Sequence, residues 1–264
     1  MNLRQKYGQR ALVAGASEGI GAAFSHHLAA EGMDLVLISR GREKLDRLAA
    51  SLRDTYPIEV TCIYCDLSES DAAIKIKEQV DMDIDLLVYN AAQSFIGPFE
   101  KNSIEEQNQL SRTNMLTPMN MMKLFGEPML QKGRGAVILM ASLAGFQGSG
   151  FLSAYGASKA FNRVLAEGLW YEWKNRGVDV IACCAGATST PNFIDTKPEK
   201  ASPFAPKVQA PEEVVSECMK TLGKKPSFIS GRGNRIASFF MQKIMPRKMA
   251  ITIMGDTTKK MYRL

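Results

Sequence analysis

The sequence predicts an α/β domain built on a parallel sheet of about seven strands, with helices covering both faces. Short apolar runs alternate with helix-like stretches along most of the chain, and a glycine-rich turn follows the first run. Such alternation is typical of strands joined by crossover helices of one hand. With 264 residues and 45% hydrophobic content, the chain is long enough to bury the core that this fold needs.

The individual elements are predicted from these runs. Residues 34–39 are almost continuously apolar, as expected of a strand with helices on both sides. Strands are predicted at residues 11–14, 34–39, 59–64, 84–89, 135–140, 179–184 and 226–230. Helices are predicted from the glycine turn through residue 30 and at residues 43–55, 69–79, 104–129, 154–175 and 211–222.

No internal repeat, low-complexity tract or linker divides the chain, so we expect one domain over residues 1–231 and an extension over residues 232–264. The net charge of +6 is unevenly distributed. Residues 219–264 contain eleven Lys or Arg and one acid, Asp256, a balance of +10. The preceding residues contain 22 basic and 26 acidic side chains, a balance of −4. The basic character therefore belongs to the C-terminal end.

Composition also indicates a compartment. The first ten residues are polar and basic, and no run reaches the roughly 18 apolar residues of a membrane-spanning helix. Five cysteines are few and odd in number, which suits a reducing compartment, so we expect a cytoplasmic protein. Cys62 and Cys65 form a C-x-x-C pair, but no second ligand pair lies at a metal spacing. We therefore predict buried thiols and no metal site.

A glycine-rich turn lies between the first predicted strand and the first predicted helix. Gly15, Gly19 and Gly21 have the spacing G-x-x-x-G-x-G. Glycine permits unusual backbone angles, lets a pyrophosphate approach the backbone and lets the helix pack close to the strand. The amides at the helix start carry a partial positive charge that attracts the anion. The motif predicts a dinucleotide site, with an ordinary tight turn as the alternative.

The end of the second predicted strand indicates which dinucleotide binds. In folds of this kind, an acid at this point binds the ribose 2′-hydroxyl, whereas an arginine accepts a 2′-phosphate. This chain has Ser39 and Arg40 here and no acid, with Arg42 and Lys44 close behind. The pattern favours NADP(H) over NAD(H), and a solvated helix start is the alternative.

Tyr155 and Lys159 are four residues apart in a predicted helix, so both side chains lie on one face. A free phenol has a pKa of about 10, and a nearby cation favours the phenolate and lowers that pKa. The Tyr155 phenol could therefore release or take up a proton closer to neutral pH. The alternative is a surface helix that carries both residues by chance.

Taken together, these motifs resemble the classical short-chain dehydrogenase/reductase family over roughly residues 8–231. Thirteen positions separate Ser142 from Tyr155, the interval characteristic of that family. The resemblance implies a Rossmann-type fold and hydride transfer between a nicotinamide cofactor and an alcohol or carbonyl. It is carried by Gly15, Gly19, Gly21, Asn90, Ala91, Ala92, Asn114, Ser142, Tyr155 and Lys159.

The resemblance also implies a role for each catalytic residue. Tyr155 is expected to be the general acid and base, and Ser142 to hold the carbonyl oxygen. Lys159 is expected to bind the nicotinamide ribose and to lower the pKa of Tyr155. Asn114 is expected to seat a water that connects the lysine to solvent.

The cofactor-binding residues are likewise implied by the resemblance. The glycine turn is expected to hold the pyrophosphate, the end of the third strand the adenine, and the end of the fourth the adenosine ribose. Thr190 is expected to meet the carboxamide. The expected set is Gly15, Ser17, Glu18, Gly19, Ile20, Gly21, Ser39, Arg40, Asp66, Leu67, Asn90, Ala91, Ala92, Tyr155, Lys159, Thr188 and Thr190.

The resemblance implies a small-molecule alcohol or carbonyl substrate, a homodimer or homotetramer, and a lid over the substrate at about residues 188–210. Several aromatic and apolar residues could line a pocket for a lipophilic substrate such as a steroid or acyl chain, although ordinary core packing is the alternative. These residues are Phe95, Leu143, Phe146, Phe151, Phe193 and Phe204.

The extension contains a basic amphipathic stretch in which Ile236, Phe239, Phe240, Ile244 and Met245 fall near helical spacing. Such a stretch could pack on its own domain or on a second subunit, or lie peripherally on an anionic membrane surface. It contains no known nucleic-acid-binding motif, and no nucleic-acid partner is expected.

Two functions fit the whole pattern. The first is an NADP(H)-dependent oxidoreductase acting on an alcohol/carbonyl pair. The second is a catalytically silent nucleotide-binding protein with a regulatory or assembly role. The complete set of Asn114, Ser142, Tyr155 and Lys159 favours the enzyme.

Overall fold

The computed structural model describes residues 2–199 and 207–264. Its strands alternate with helices from β1 to β7. The strands are β1 Arg10–Ala14, β2 Asp34–Ser39, β3 Val60–Tyr64, β4 Leu86–Tyr89, β5 Gly135–Ser142, β6 Val178–Ala185 and β7 Ser227–Ile229. The helices are α1 Leu3–Tyr7, α2 Gly19–Ala30, α3 Arg42–Thr55, α4 Ala72–Gln79, α5 Ile104–Ser111, α6 Thr117–Lys132, α7 Ser153–Trp173, α8 Pro191–Asp195, α9 Pro211–Thr221, α10 Arg232–Phe239 and α11 Arg247–Tyr262.

All seven strands join one parallel sheet in the order β3-β2-β1-β4-β5-β6-β7, which confirms the predicted fold class. The order reverses direction between β1 and β4, where a crevice opens at the carboxyl ends of the strands. The three central strands end at the same height in the sheet, because Ala14 at the end of β1 pairs with Ile38 of β2 and Tyr89 of β4. The loops after these strands therefore meet at one edge of the sheet.

Two hydrophobic cores lie on opposite faces of the sheet. Along β1, Ala11 and Val13 face one core, and Leu12 and Ala14 face the other. This alternation follows from the two-residue period of a strand. The buried side chains thus explain why the strands read as continuous apolar runs.

The helix predicted at residues 104–129 is interrupted. A turn of π-helix, Arg112–Leu116, separates α5 from α6, and α6 continues to Lys132. Such single turns are common at functional sites. This one places Asn114 behind the crevice, where its side chain is fully buried.

The C-terminal extension packs on its own domain. Helix α11 passes close to the loop after β5, because a Cβ on Gly150 would lie 3.2 Å from the Gly255 Cα. The Glu199 amide donates to the Met261 carbonyl at 2.9 Å, and Arg247 donates to the Phe146 carbonyl at 3.2 Å. Of the three alternatives for the extension, contact with its own domain is therefore observed for α11.

Two further features bear on the sequence expectations. All five cysteines are free thiols, and all but the half-buried Cys62 are buried. Among the residues that the structure describes, no helix combines the length and apolar character required to cross a bilayer.

The junctions before β5 and β6 provide a matched stability test. Gly133 and Gly177 both have left-handed backbone angles, with φ of 65° and 77°. A Cβ on Gly177 would lie 1.9 Å from the Gly133 carbonyl oxygen, whereas a Cβ on Gly133 would have nothing within 4 Å. We expect Gly133→Ala to cost about 1–2 kcal/mol of unfolding free energy. Gly177→Ala should cost roughly 1–3 kcal/mol more because of the clash. Urea denaturation measures both, and equal losses would contradict the close approach.

Candidate active site

A cleft of about 430 Å³ opens at the carboxyl ends of the central strands. Nearly every residue predicted for the site lines it. These are Gly15, Ser17, Glu18, Gly19, Ile20, Ser39, Arg40, Asp66, Leu67, Asn90, Ala91, Ala92, Ser142, Tyr155, Lys159, Thr188 and Thr190. Gly21 and Asn114 are the predicted residues that do not line the cleft. Both lie behind its wall.

The glycine turn forms one end of the cleft. Gly15 and Gly19 have positive φ angles of 77° and 58°, which explains the need for glycine at both positions. Gly21 is required for packing, since a Cβ there would lie 1.9 Å from the Gly15 carbonyl oxygen. That oxygen also accepts a hydrogen bond of 3.0 Å from the Asn90 side-chain amide. Two of the reasons given above for the glycines, backbone angle and close helix packing, are therefore observed.

The same turn fits a dinucleotide. Helix α2 begins at Gly19, so its first amides face the cleft, and the first turn of α2 carries no acidic side chain. A partial positive charge at a helix start favours a phosphate. A Cβ on Gly15 would lie 2.7 Å from the Ala91 backbone and one on Gly19 would lie 2.8 Å from the Thr190 side chain, so both glycines let these cleft-lining residues approach the turn. The residues from Gly15 to Gly21 could therefore hold a pyrophosphate group.

Arg40 is the cation at the end of the cleft predicted to hold the adenosine ribose. Arg40 lines it, with its side chain 65% exposed and its guanidinium 3.7 Å from Asp66. Burial raises the pKa of Asp66, but hydrogen bonds from Ser68 and the charge of Arg40 outweigh burial and hold that pKa below its usual value. Ser39 donates to the Ser17 hydroxyl at 2.9 Å, which connects the end of β2 to the glycine turn.

The two basic residues predicted to assist Arg40 are engaged elsewhere. Arg42 stacks 4.3 Å above the Tyr64 ring, and Lys44 pairs with Glu18 at 2.6 Å. Neither lines the cleft. Both stay beside the cleft, because Tyr64 pairs with Ser39 at the end of β2 and Glu18 lines the cleft, so their predicted help remains a prediction.

Tyr155 and Lys159 lie on one face of α7, as their spacing predicts, and Ser142 lies opposite at the end of β5. The helix approaches the turn after β5 closely. A Cβ on Gly145 would lie 2.6 Å from the Ala160 amide nitrogen, and one on Gly156 would lie 2.9 Å from the Ala144 carbonyl oxygen. This contact brings the Tyr155 phenol and the Ser142 hydroxyl within hydrogen-bonding reach.

The expected effect of Lys159 on Tyr155 is not observed. Burial raises the pKa of Tyr155, the hydrogen bond with Ser142 opposes that rise, and the nearby Tyr262 adds to it. Lys159 itself is buried, and burial lowers its pKa to about 8. Its ammonium lies 5.7 Å from the Tyr155 ring centre and donates to the Met140 carbonyl at 3.0 Å. Lys159 is not among the groups that shift the pKa of Tyr155 in the protein by itself, so the expected lowering stays a prediction.

Asn114 joins three elements behind the cleft. Its side-chain oxygen accepts from the Gln93 amide at 2.8 Å, and its side-chain amide donates to the Gln93 carbonyl at 2.8 Å and to the Ser158 hydroxyl at 2.9 Å. Ser158 in turn donates to the Tyr155 carbonyl at 2.8 Å. Sequence reasoning missed Gln93 and Ser158. Ser158 could have been suspected, because it lies between Tyr155 and Lys159.

The apolar side of the cleft differs from the predicted set. Of the described candidates, Phe193 lines the cleft, whereas Phe95, Leu143, Phe146 and Phe151 do not. Phe204 lies outside the described residues. The apolar lining comes instead from Ile96, Leu152 and Tyr262, together with Phe193. Phe146 packs toward the core and lies under the Arg163 guanidinium, which explains its absence from the cleft.

Tyr262 reaches the cleft from the last turn of α11 and could not have been found from local sequence. Burial raises its pKa, and a hydrogen bond with Thr196 opposes that rise. Thr196 follows α8, a short helix that Thr190 caps by accepting from the Phe193 amide at 3.3 Å. The predicted lid at residues 188–210 thus contains α8 and meets α11, although residues 200–206 lie outside the described part of the chain.

The buried lysine predicts a pH-dependent stability. In the unfolded chain Lys159 holds its proton up to a pKa of 10.5, but in the folded protein only up to about 8. Between these values the unfolded state binds more protons, so stability rises with pH. The unfolding free energy of Lys159→Met relative to the wild type should therefore fall by roughly 3 kcal/mol across this window.

Urea denaturation at a series of pH values measures this difference. Lys101→Met, at an exposed position, is the control for loss of a lysine. A difference that does not change with pH would contradict the burial of the Lys159 ammonium.

Comparisons with known proteins show which family the chain resembles in sequence and structure. A family model described as short chain dehydrogenase matches residues 9–201. The chain is 35% identical over 236 residues to a 7β-hydroxysteroid dehydrogenase of Clostridium sardiniense, which covers 89% of this chain and 90% of that protein. A structure solved in a study of 7β-hydroxysteroid dehydrogenase stereoselectivity has a TM-score of 0.90 at 31% identity and covers 96% of this chain and 99% of that one.

A short-chain dehydrogenase from Sphingobium yanoikuyae, solved in complex with NADPH, has a TM-score of 0.76 at 28% identity, with 84% of this chain and 87% of that chain covered. The family model covers most of the sheet, and the relatives match over nearly their whole length. The chain therefore belongs to the short-chain dehydrogenase family, whose members bind a nicotinamide cofactor, and it is an oxidoreductase that acts on CH–OH groups.

Proposed function

We propose that this oxidoreductase uses NADP(H) to interconvert a hydroxyl and a carbonyl group on a lipophilic, hydroxysteroid-like substrate. The observation that carries the proposal is that Tyr155 and Ser142 line one cleft whose far end is the glycine turn. A proton donor and a second hydroxyl thus lie together in a pocket that also fits a dinucleotide. This arrangement favours catalysis over a silent nucleotide-binding role.

The chemistry assigned to the residues follows from their positions. When bound, the nicotinamide supplies or accepts the hydride. Tyr155 donates its proton to the carbonyl oxygen during reduction and takes the hydroxyl proton in reverse, while Ser142 holds the same oxygen. Lys159 would hold the nicotinamide ribose. A phenol with an ordinary pKa of about 10 is protonated at neutral pH, which is the form that donates, and burial raises the pKa of Tyr155 further.

Asn114 has a positioning role in this proposal. Both polar atoms of its side chain bind protein groups. A water bound at this turn would therefore be held by atoms other than the Asn114 side chain. Its hydrogen bond to Ser158 fixes the first turns of α7, which carry Tyr155. Asn114 therefore acts on the reaction through the placement of the phenol.

The proposed substrate class has two supports. Relatives at about a third identity are named 7β-hydroxysteroid dehydrogenases. The cleft has an apolar lining that includes Ile96, Leu152 and Phe193, and an apolar lining suits a steroid body. Tyr262 adds a phenol from the extension, so we propose that residues 232–264 complete the substrate side of the domain formed by residues 1–231.

We also propose a cytoplasmic homodimer or homotetramer. The free thiols suit a reducing compartment. Large apolar side chains are exposed on neighbouring outer faces, with Leu116 46%, Val164 58% and Tyr171 70% exposed. Contact with a second copy would cover them.

Tyr155→Phe tests the catalytic assignment. We expect turnover of a hydroxysteroid with NADP⁺ to fall about 10²- to 10⁴-fold, because the proton donor is lost. Cofactor affinity, measured by fluorescence titration, should stay within about threefold of the wild type, since a phenol hydrogen bond contributes little to ground-state binding. Tyr171→Phe removes an exposed hydroxyl from the same helix and is the matched control. Unchanged turnover in Tyr155→Phe would reject the proposal.

Arg40→Ala tests the cofactor preference. Charge-assisted hydrogen bonds to a 2′-phosphate should be lost, so the Kd for NADPH should rise about 10- to 100-fold while that for NADH changes little. Arg47→Ala is the matched control, because Arg47 lies on α3, the helix that follows Arg40, pairs with Glu43 and does not line the cleft. Isothermal titration of both cofactors measures the effect. Equal weakening of NADPH and NADH would refute the preference.

A further inference from the structure

The segment after β7 presents its apolar side chains outward. Four of them form a surface, here called the tail patch, on α10 and the π-turn Phe240–Ile244 that follows it. A surface helix normally turns its apolar stripe toward the core. The tail patch instead consists of Ile236, Phe239, Phe240 and Ile244, which are 52%, 56%, 53% and 65% exposed.

Polar side chains occupy the inner face of the same helix. Asn234 and Ser238 are buried, at 3% and 7% exposure. The Asn234 amide donates to the Ser230 carbonyl at 2.8 Å and to the Gln209 side chain at 3.4 Å, and Gln242 donates to the Ser238 hydroxyl. Rotating α10 to bury its apolar face would break these bonds. The outward position of the tail patch is therefore built into the fold.

Cations lie beside the tail patch along the chain. Arg232 and Lys243 flank it on the same segment, and Arg247 and Lys248 follow in the first turn of α11, all with exposed side chains. No acidic residue occurs between Glu217 and Asp256. Glu217 is engaged by Arg235 at 2.8 Å. Glu212 and Glu213 line a cavity together with Arg232, so the positive charge is concentrated at the end of the patch that carries Lys243, Arg247 and Lys248.

The charge and exposure of the tail patch distinguish between two partners that could cover it, a second copy of the chain and a membrane. A two-fold contact with a second copy would place the same surface against itself, so Lys243 and its neighbouring cations would face like charges. An anionic bilayer offers the opposite charge, and Phe and Ile side chains insert at the boundary between headgroups and acyl chains. We propose that the tail patch and the cations beside it bind peripherally to an anionic membrane surface.

Vesicle co-sedimentation of the full chain tests the proposal. Vesicles of phosphatidylcholine alone and with added phosphatidylglycerol are compared at low and high salt. We expect binding to the anionic vesicles that weakens at high salt, because the attraction is screened. Phe239→Ser with Phe240→Ser should lower the partition coefficient about tenfold or more. Lys243→Gln with Lys248→Gln should lower it about fivefold for each cation removed.

The control replaces two exposed isoleucines on other helices. Ile74 on α4 and Ile104 on α5 are 56% and 83% exposed, so Ile74→Ser with Ile104→Ser tests non-specific binding of exposed apolar side chains to the vesicles. This variant should bind like the wild type. Turnover of the hydroxysteroid and the thermal melting curve check that each variant is folded, and the charge variant, at exposed positions only, preserves the test if the phenylalanine variant unfolds.

Two results would overturn the proposal. One is wild-type protein that fails to sediment with anionic vesicles, or variants that sediment as the wild type does. The other is a phenylalanine variant whose mass in analytical ultracentrifugation is lower while its vesicle binding is unchanged, which would assign the tail patch to contact between copies of the chain. Both results are independent of the proposed catalytic function.

Discussion

The close contact between α7 and the turn after β5 is the constraint on which the site depends. Gly145 and Gly156 let the helix lie against that backbone, since a Cβ at either position would come within 3 Å of main-chain atoms. The contact sets the distance between Ser142 and Tyr155. The hydrogen bonds from Asn114 to Ser158 and from Ser158 to the Tyr155 carbonyl then hold the helix start from behind. Placement of the proposed proton donor is thus a consequence of backbone packing.

That packing has an electrostatic cost. It buries Lys159, which has the Met140 carbonyl as its hydrogen-bond acceptor, and removal from water lowers the pKa of the ammonium. The same burial raises the pKa of Tyr155, against the expectation drawn from the spacing alone. The folded protein therefore holds Lys159 in an environment that disfavours its charged form.

The two helices of the C-terminal extension contribute to different parts of the molecule. Helix α11 brings Tyr262 to the cleft at its last turn, while α10 turns an apolar and cationic surface outward at the other end. Its contacts with Phe146 and Glu199 attach it to both the loop after β5 and the segment after α8. The proposed substrate side is consequently built from three segments that are distant in sequence.

The sequence by itself determined the parallel α/β fold, the positions of all seven strands and those of α2 to α7 and α9 apart from the break between α5 and α6, because these depend on local periodicity and on glycine positions. Most of the cleft lining followed from the family resemblance. Tertiary structure decided the rest. The π-turn at Asn114, the position of Phe146 away from the cleft, the arrival of Tyr262 and the raised pKa of Tyr155 all arise from packing between segments far apart in the chain. Burial and long-range contact set these properties, and neither can be read from the spacing of residues within one helix or strand.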